Sequence, residues 1–299
     1  MPELPEVETI ARDLSENLGD QPIISLDLIS PKSAQNAPSF FKKILIGNSF
    51  KKVSRRGKLL IFELKNGQFF LLIHLKMTGQ LIYIDKKTRL AGGHSLNDRS
   101  NQKNGSFLDS VGGKLPNKHT RVIIGFRNGA RLFFNDLRRF GYLKIVNDAE
   151  LKRILENNYG PEPLAPDFSI QYLEKLLAKR KTKIKALLLD QKLVAGLGNI
   201  YVDEALFASG IRPERLAQSL KKAEIKKLFL AINTLIKKAI KHRGTTFSNY
   251  VDSKGKKGNY SRFLKVYGRK NEECSVCGAK IIKIKMAGRG THYCPNCQK

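Results

Sequence analysis

All four cysteines of the chain lie near its C-terminal end, in the order Cys274-x2-Cys277-x16-Cys294-x2-Cys297. Two close pairs of thiolates are typical ligands of tetrahedral Zn²⁺, with each pair chelating the ion from its own tight turn. Because four thiolates complete the coordination shell, the spacing predicts one closed, structural zinc site. The alternative, four cysteines without a metal, is disfavoured by this spacing.

The segment between the two cysteine pairs is predicted to be a β-hairpin. Ile281–Met286 alternates apolar and basic residues, and Gly288 separates it from a second short run that starts at Arg289. A hairpin of this kind can place one guanidinium group on a phosphate. An ordinary solvent-exposed arginine in a turn is an equally open interpretation of Arg289.

The chain is strongly basic, with 55 Lys and Arg against 26 Asp and Glu and a formal net charge of +29. This excess favours a nucleic-acid partner, because each neutralised phosphate releases condensed counterions. A ribosomal protein, a membrane-surface protein and a generally basic proteome remain open. We find neither a signal-peptide pattern nor the roughly 18 consecutive apolar residues of a membrane-spanning helix. The cysteines do not resemble a secreted disulfide framework, so a cytoplasmic or nucleoid location is expected.

The N-terminal sequence Met1-Pro2-Glu3-Leu4-Pro5-Glu6 leads into a helical pattern that we predict over residues 3–18. Removal of Met1 leaves Pro2 as a secondary amine, and α-amino groups titrate near pH ~8, so much of it is free amine at neutral pH. An amine of this kind condenses with an aldehyde to form an iminium, which acidifies the neighbouring C–H. Glu3 and Glu6 supply carboxylates for proton transfer. The alternative is that proline and glutamate simply suit a first helical turn.

Period-two patterns predict an antiparallel sandwich or barrel in the N-terminal part of the chain. The strand candidates include Ile23–Ile29, Leu59–Leu64, Phe69–His74, Gln80–Ile84, Val122–Phe126 and Leu132–Phe134, with hairpin turns at Asn66-Gly67 and Asn128-Gly129. Residues 85–118 interrupt this pattern. They are rich in Gly, Ser, Asn and Lys with few apolar residues, and we interpret them as a mobile insertion, with plain disorder as the simpler possibility.

Helical periodicity replaces the strand pattern from about residue 148. Helices are predicted at 149–157, 169–179, 183–190, 200–209 and 219–242. We therefore divide the chain into a β-rich domain over 1–146, a helical domain over 147–250, and residues 251–299 with the zinc module.

Three further segments carry candidate DNA contacts. Leu193–Tyr201 contains two glycines before a helix start, where free N–H groups suit a phosphate and Asn199 is a candidate cap; a tight helix–helix turn is the alternative. His74–Gly79 contains Met77, and Asn135–Gly141 contains Phe140 directly after Arg138 and Arg139. An exposed apolar side chain beside arginine can wedge between base pairs, although a core position is the commoner fate of such residues.

Six parts of the sequence follow one another in this order: Pro2–Glu8, Lys58, the segments 74–79, 135–141 and 193–204, and the zinc module. Together they resemble the bacterial formamidopyrimidine-DNA glycosylase family. The resemblance covers almost the whole chain and implies an α+β multidomain protein. Its expected parts are an N-terminal β-sandwich with flanking helices, a helix–two-turns–helix domain and a C-terminal β-hairpin zinc finger. It implies a monomer that acts on double-stranded DNA containing oxidised purines, with one structural Zn²⁺ and no membrane partner.

The same resemblance implies a bifunctional glycosylase and AP lyase of base-excision repair. Pro2 would attack C1′ of the damaged nucleotide, Glu3 would protonate the sugar ring oxygen, and β- and δ-elimination would follow from the Schiff base. Glu6 would support the N-terminus, and Lys58 would lie near the damaged nucleotide and its 3′ phosphate.

The family pattern also assigns DNA contacts. Asn199 and Arg289 match phosphate contacts, with Arg289 counted among the catalytic set, and His74 matches a backbone contact. Met77, Arg138 and Phe140 match the side chains that fill the space left by the extruded base. Residues 245–260 match a loop that closes over an everted purine.

One segment departs from the family pattern, because residues 85–118 are longer than the usual connection there. Two other functions stay open at this point. The related endonuclease VIII favours oxidised pyrimidines, and a non-catalytic DNA- or RNA-binding protein on the same scaffold would need only the positive charge.

Overall fold

The computed structural model describes residues 2–94, 107–245 and 260–299. Contacts group the chain into two compact units, Met1–Leu155 with His242–Asn259, and Glu156–Lys241 with Tyr260–Lys299. The division at residues 146 and 250 therefore stays a prediction. In the described ranges, no helix has both the length and the apolar character of a membrane-spanning segment.

Helices and strands alternate irregularly along the chain. The helices are α1 (Leu4–Asn17), α2 (Pro38–Leu45), α3 (Phe107–Val111), α4 (Asp148–Asn158), α5 (Ile170–Leu177), α6 (Ile184–Leu189), α7 (Asn199–Ser209) and α8 (Lys222–Lys241). The strands are β1 (Ile23–Leu28), β2 (Phe50–Arg56), β3 (Leu59–Leu64), β4 (Phe69–His74), β5 (Gly79–Ile84), β6 (Arg89–Gly93), β7 (Thr120–Phe126), β8 (Arg131–Asp136), β9 (Tyr142–Asn147), β10 (Ile282–Met286) and β11 (Arg289–Tyr293).

The first unit is built on two antiparallel sheets. Their strand orders are β1-β7-β8-β5-β6 and β2-β3-β4-β9. One hydrophobic core joins them, with Phe62 and Leu71 from the four-stranded sheet and Leu81 and Phe134 from the five-stranded sheet. Because alternate residues of both sheets enter the same core, the predicted β-sandwich is confirmed and the barrel is excluded.

The helix α1 packs into this core and carries the N-terminus of the chain. Its residues Ile10 and Leu14 belong to the core shared by the two sheets. A Cβ atom added to Gly92 of β6 would lie only 2.4 Å from Cγ1 of Ile10, so glycine is required for this close approach. The start of α1 is therefore held on a rigid support.

Both predicted asparagine–glycine hairpins form, with longer connections than expected. Only the glycines take positive φ, at 70° for Gly67 and 85° for Gly129. The side chains of Asn66 and Asn128 instead accept hydrogen bonds from backbone N–H groups two residues later. This Asx-turn geometry keeps the asparagines out of the left-handed region, so the primed two-residue turn is wrong.

The segment 85–118 contains regular structure, and the prediction of an irregular insertion is wrong for part of it. Strand β6 and helix α3 both lie within it, while residues 95–106 lie outside the described residues. Ala91 and Val111 pack with Ile82 and Phe133 on the outer face of the five-stranded sheet. The few apolar residues of the insertion are therefore enough to build a second, smaller core.

In the second unit, α7 packs against α8 and against β11. The strands β10 and β11 form the predicted hairpin, and its turn places Ala287 and Gly288 at φ of 49° and 72°. Two consecutive residues with positive φ are the signature of the tightest β-hairpin turn. The turn is followed directly by Arg289, which is exposed.

Candidate functional site

The N-terminus of the described chain is fixed by a hydrogen bond within the first helical turn. Pro2 and Glu3 are buried, and α1 begins at the next residue. The backbone N–H of Glu3 donates to Oε2 of Glu6 at 2.9 Å. This bond supplies an acceptor for one of the N–H groups that a helix start leaves without an intrahelical partner. The nitrogen of Pro2 is thereby held in a defined position.

The second oxygen of Glu6 holds a segment that is distant in sequence. Oε1 accepts from the backbone N–H of Thr245 at 2.7 Å and from its hydroxyl at 3.1 Å. Gly244 has a φ of 80°, and a Cβ atom there would lie 2.5 Å from Oε1 of Glu6. The contact therefore depends on glycine at this position. It agrees with the interpretation of Glu6 as a support of the N-terminus.

Lys58 and His74 lie side by side at the ends of two paired strands. Lys58 is only 6% exposed and precedes Leu59, which is the direct partner of His74 in the β3–β4 ladder. Burial, together with the positive charges of Lys76 and Lys58, lowers the pKa of His74 to about 3. The imidazole is therefore neutral at physiological pH.

The hydrogen bond at Nδ1 fixes which imidazole nitrogen carries the proton. Nδ1 of His74 accepts from the backbone N–H of Lys76 at 2.9 Å, so the proton of the neutral ring is on Nε2. An Nε2–H group is a donor suited to a phosphate oxygen. The geometry thus supports the predicted contact of His74 with the DNA backbone.

Met77, Arg138 and Phe140 converge on one exposed surface. Their loops lie at the same end of β5 and β8, whose residues Gly79 and Asp136 are paired. Nη1 of Arg138 lies 3.2 Å from Sδ of Met77, and its guanidinium lies 4.6 Å from the ring centre of Phe140. Met77 is 42% exposed and Phe140 is 53% exposed, so the alternative that both are core residues is wrong.

A buried carboxylate organises the Arg138 loop. Oδ1 of Asp136 accepts from the hydroxyl of Thr78 at 2.5 Å and from the N–H of Arg138 at 3.2 Å, and Oδ2 accepts from the N–H of Gly141 at 2.7 Å. Asp136 has no exposed surface. Neither Asp136 nor Thr78 was predicted from the sequence as a functional residue. The available signal was an aspartate at the end of an apolar strand, two residues before a pair of arginines.

Asn199 is placed differently from its predicted role as a helix cap. Gly198 occupies the N-cap of α7, and Asn199 is the first helical residue. Its Nδ2 donates to the carbonyl oxygen of Gly290 at 2.8 Å, so the side chain reaches the hairpin that carries Arg289. The capping prediction is therefore wrong. The side chain instead brings two predicted phosphate-binding segments, at Asn199 and Arg289, together.

A buried ion pair fastens the same hairpin to the helices. Nζ of Lys185 lies 2.6 Å from Oδ1 of Asp203, and neither side chain has any exposed surface. Oδ2 of Asp203 accepts from the N–H of His292 at 2.9 Å, and Lys185 also reaches the carbonyl of Gly290 at 3.4 Å. This pair was not predicted from the sequence. A single lysine within the apolar run of α6 was the signal that indicated it.

The four cysteines form a cluster that fits a metal ion. All four Sγ atoms lie within 4.8 Å of one another, with 3.8 Å between Cys274 and Cys297 and 3.5 Å between Cys277 and Cys294. Tetrahedral Zn²⁺ with bonds of about 2.3 Å requires sulfur atoms roughly 3.8 Å apart. The predicted structural zinc site is therefore confirmed. His292 is directed to Asp203, with Nδ1 3.5 Å from its carboxylate.

Three family models match successive parts of the chain. Residues 1–143 match the formamidopyrimidine-DNA glycosylase N-terminal domain, and residues 159–251 match its H2TH domain. Residues 271–299 match the zinc finger found in FPG and IleRS.

Whole-chain relatives show the same similarity. Formamidopyrimidine-DNA glycosylases from Desulforamulus reducens and Pelotomaculum thermopropionicum are 44% and 42% identical, over 100% of this chain and 99% of each relative. A solved complex of the Lactococcus lactis Fpg with DNA containing an abasic site is 37% identical, covers 99% of both chains and has a TM-score of 0.84. A Lactococcus lactis Fpg variant with Fapy-dG containing DNA is also 37% identical, covers 100% of both chains and has a TM-score of 0.85.

Proposed function

Because this chain belongs to the formamidopyrimidine-DNA glycosylase family, we propose that it removes oxidised purines from duplex DNA and then cuts the strand. Its substrates are duplexes that contain 8-oxoguanine or formamidopyrimidines. The reaction is a base-excision-repair glycosylase step followed by AP lyase steps. The observation that carries this proposal is the buried Pro2-Glu3 start of α1, held by the carboxylate of Glu6.

Pro2 is the nucleophile in this proposal. Its nitrogen bonds to C1′ as the bond to the damaged base breaks, and Glu3 protonates the sugar ring oxygen as the ring opens. The resulting iminium draws electrons from C2′, so loss of a C2′ proton expels the 3′ phosphate. A second elimination then expels the 5′ phosphate. Lys58, buried beside His74, supplies positive charge near the departing 3′ phosphate.

The exposed cluster of Met77, Arg138 and Phe140 is proposed to fill the duplex when the damaged nucleotide is extruded. Unstacking costs a few kcal/mol per step, which a wedge of side chains offsets by occupying the vacated space. The guanidinium already lies against both apolar partners, so the three side chains enter the stack as one group. Arg138 would face the orphan cytosine.

Asn199 and Arg289 are proposed to bind phosphates on the same strand. The exposed guanidinium of Arg289 follows the hairpin turn, and Asn199 bonds to Gly290 in that hairpin. One structural Zn²⁺, held by Cys274, Cys277, Cys294 and Cys297, maintains the module that carries Arg289. Because the substrate is chromosomal DNA, we place the protein in the cytoplasm at the nucleoid, where it acts as a monomer.

Incision of two defined duplexes tests this function against the endonuclease VIII alternative. One duplex carries 8-oxoguanine opposite cytosine, and the other carries thymine glycol opposite adenine. We expect faster cleavage of the 8-oxoguanine duplex by at least about tenfold, with phosphate at both ends of the gap. Comparable rates on both duplexes would overturn the purine assignment.

The role of Glu3 is tested in the same assay. Glu3→Gln should abolish excision of 8-oxoguanine and retain DNA affinity, because the amide cannot donate a proton as an acid. The matched control is Glu16→Gln on the same helix, where the side chain is exposed. Full excision by the Glu3 variant would contradict its role.

A further inference from the structure

A cavity of about 490 Å³ lies on the outer face of the five-stranded sheet, beside the inserted helix α3. Its floor is apolar and is formed by Ile84, Leu115 and Phe133 together with Phe107 and Leu108 of α3. Leu108 is 48% exposed although it lines a concave surface. A volume of this size accommodates a bulky apolar side chain and its flanking backbone.

The rim of the cavity is positively charged because two arginines flank one apolar residue. Ile84 in β5 pairs with Arg89 of β6 on one side and with Arg131 of β8 on the other. All three side chains therefore point to the same face, with the two arginines separated by two strand spacings, about 10 Å. Both arginines are exposed, and the ion pairs found among the described residues include neither of them.

The acidic residue of the rim, Asp85, is hydrogen-bonded to groups of its own turn. Oδ1 of Asp85 accepts from the N–H groups of Lys87 and Thr88, and Oδ2 accepts from the hydroxyl of Tyr83. Lys86 adds a further exposed positive charge. The cavity therefore combines an apolar floor with a net positive rim.

This surface is remote from the side chains that enter the duplex in the proposed function. Within β5 and β8, the pair of Gly79 and Asp136 lies at the end that carries Met77 and Arg138. The pair of Ile84 and Arg131 lies at the other end, five residues away along each strand. At about 3.4 Å per residue, the separation is roughly 17 Å. A ligand in the cavity leaves the wedge residues accessible.

We propose that this cavity is a docking site for an acidic peptide segment of a partner protein that carries a bulky apolar side chain. Charge complementarity with Arg89, Arg131 and Lys86 attracts the acidic residues, and the apolar side chain enters between Phe133 and α3. A DNA backbone matches the charges but has nothing to place on the apolar floor. The occupied site recruits the glycosylase to other proteins while its DNA-contacting loops remain free.

Fluorescence anisotropy with a defined peptide panel tests this proposal. The probes are labelled aspartate hexapeptides with phenylalanine at each position in turn, and the reference is the same peptide with glycine. The full, zinc-loaded chain is titrated at near-physiological salt, where non-specific attraction is screened. We expect at least one phenylalanine peptide to bind about tenfold more tightly than its glycine counterpart.

Two variants and one matched control locate the binding site. Arg131→Glu and Leu108→Ser should each lower the affinity for that peptide at least about fivefold. Arg127→Glu makes the same charge change in the adjacent exposed turn, outside the cavity lining, and should leave binding within about twofold. All three variants should keep the incision rate of the unmodified chain, which also shows that they fold.

The outcome with DNA present separates a peptide site from a second DNA-binding surface. A duplex carrying an abasic analogue should leave peptide affinity unchanged, because the two ligands occupy opposite ends of β5 and β8. Displacement of the peptide by the duplex would assign the cavity to DNA and overturn the proposal. The proposal would also be overturned if the glycine peptides bound as tightly as the phenylalanine peptides, or if no peptide bound below millimolar concentration. It would be overturned as well if Arg127→Glu weakened peptide binding as much as Arg131→Glu.

Discussion

Oε1 of Glu6 accepts hydrogen bonds from both the backbone N–H and the hydroxyl of Thr245, at 2.7 and 3.1 Å. The other oxygen of the same carboxylate accepts from the N–H of Glu3. One side chain thus joins the proposed catalytic N-terminus to the chain that enters residues 246–259. That segment, which the family resemblance assigns to closure over an everted purine, lies outside the described residues.

Removal of the Glu6 carboxylate is expected to destabilise the first unit. Glu6→Ala leaves the N–H groups of Glu3 and Thr245 without this acceptor, and each unsatisfied buried group costs about 1–3 kcal/mol. We expect a loss of about 2–4 kcal/mol in the free energy of unfolding, measured by urea denaturation. Glu16→Ala, on an exposed position of the same helix, should change it by less than about 0.5 kcal/mol. Equal stabilities of the two variants would contradict the anchoring role.

The neutral state of His74 predicts a stability loss at acidic pH. Its folded pKa is lowered to about 3, whereas the unfolded histidine titrates near its usual value of about 6.5. Between these values the unfolded state binds one more proton, so stability falls as the pH drops below about 6.5. Between pH 7.5 and pH 5, the free energy of unfolding of the unmodified chain should fall by up to about 2 kcal/mol more than that of the His74→Gln variant. A constant difference in the free energy of unfolding between the two proteins over this range would refute a neutral imidazole in the folded state.

The buried pair of Lys185 and Asp203 is expected to be sensitive to removal of one partner. Lys185→Met leaves the carboxylate of Asp203 buried without its cation, and such uncompensated charges cost about 3–5 kcal/mol. We expect the free energy of unfolding to fall by this amount. Undamaged duplex should also bind more weakly, because the hairpin that carries Arg289 loses its attachment. The control is Lys51→Met, whose exposed side chain pairs with Glu63 outside this hairpin. A loss below about 1 kcal/mol for Lys185→Met would show that the pair does not hold the hairpin.

The zinc site is expected to control DNA affinity without taking part in the chemistry. Cys294→Ser removes a buried thiolate ligand, so the purified protein should contain less zinc and bind duplex DNA more weakly. Schiff-base chemistry at Pro2 requires no metal, so residual turnover at saturating DNA should persist. Zinc is measured by atomic absorption, with Ser275→Ala, between the ligands Cys274 and Cys277, as control. Normal zinc and normal affinity in the Cys294 variant would exclude a structural site.

Features defined by local spacing could be predicted from the sequence. The helix at the N-terminus, the zinc ligands and the hairpin before Arg289 each depend on a few neighbouring residues, and the structure contains all three. The exposure of Met77 and Phe140 was indicated by the family pattern and not by their apolar character. Physical chemistry alone favoured a core position for both.

The missed features depend on contacts between distant segments. Asp136 accepts a hydrogen bond from Thr78, which is 58 residues away in sequence, and Asp203 accepts one from His292, which is 89 residues away. No local sequence pattern reveals either bond. The insertion was misjudged because its polar composition concealed the few apolar residues that pack on Phe133. A buried polar network becomes visible only when the fold brings its members together.

The most direct measurement is borohydride trapping on a duplex with 8-oxoguanine opposite cytosine, using protein whose processed N-terminus has been verified by mass spectrometry. We predict a covalent protein–DNA adduct that maps to the nitrogen of Pro2. Pro2→Gly replaces the secondary amine with a primary amine and should reduce trapping, while Lys58→Met should still form the adduct at Pro2. An adduct that maps to a lysine, or no adduct from zinc-loaded protein that still binds the duplex, would contradict the assignment of Pro2 as the nucleophile.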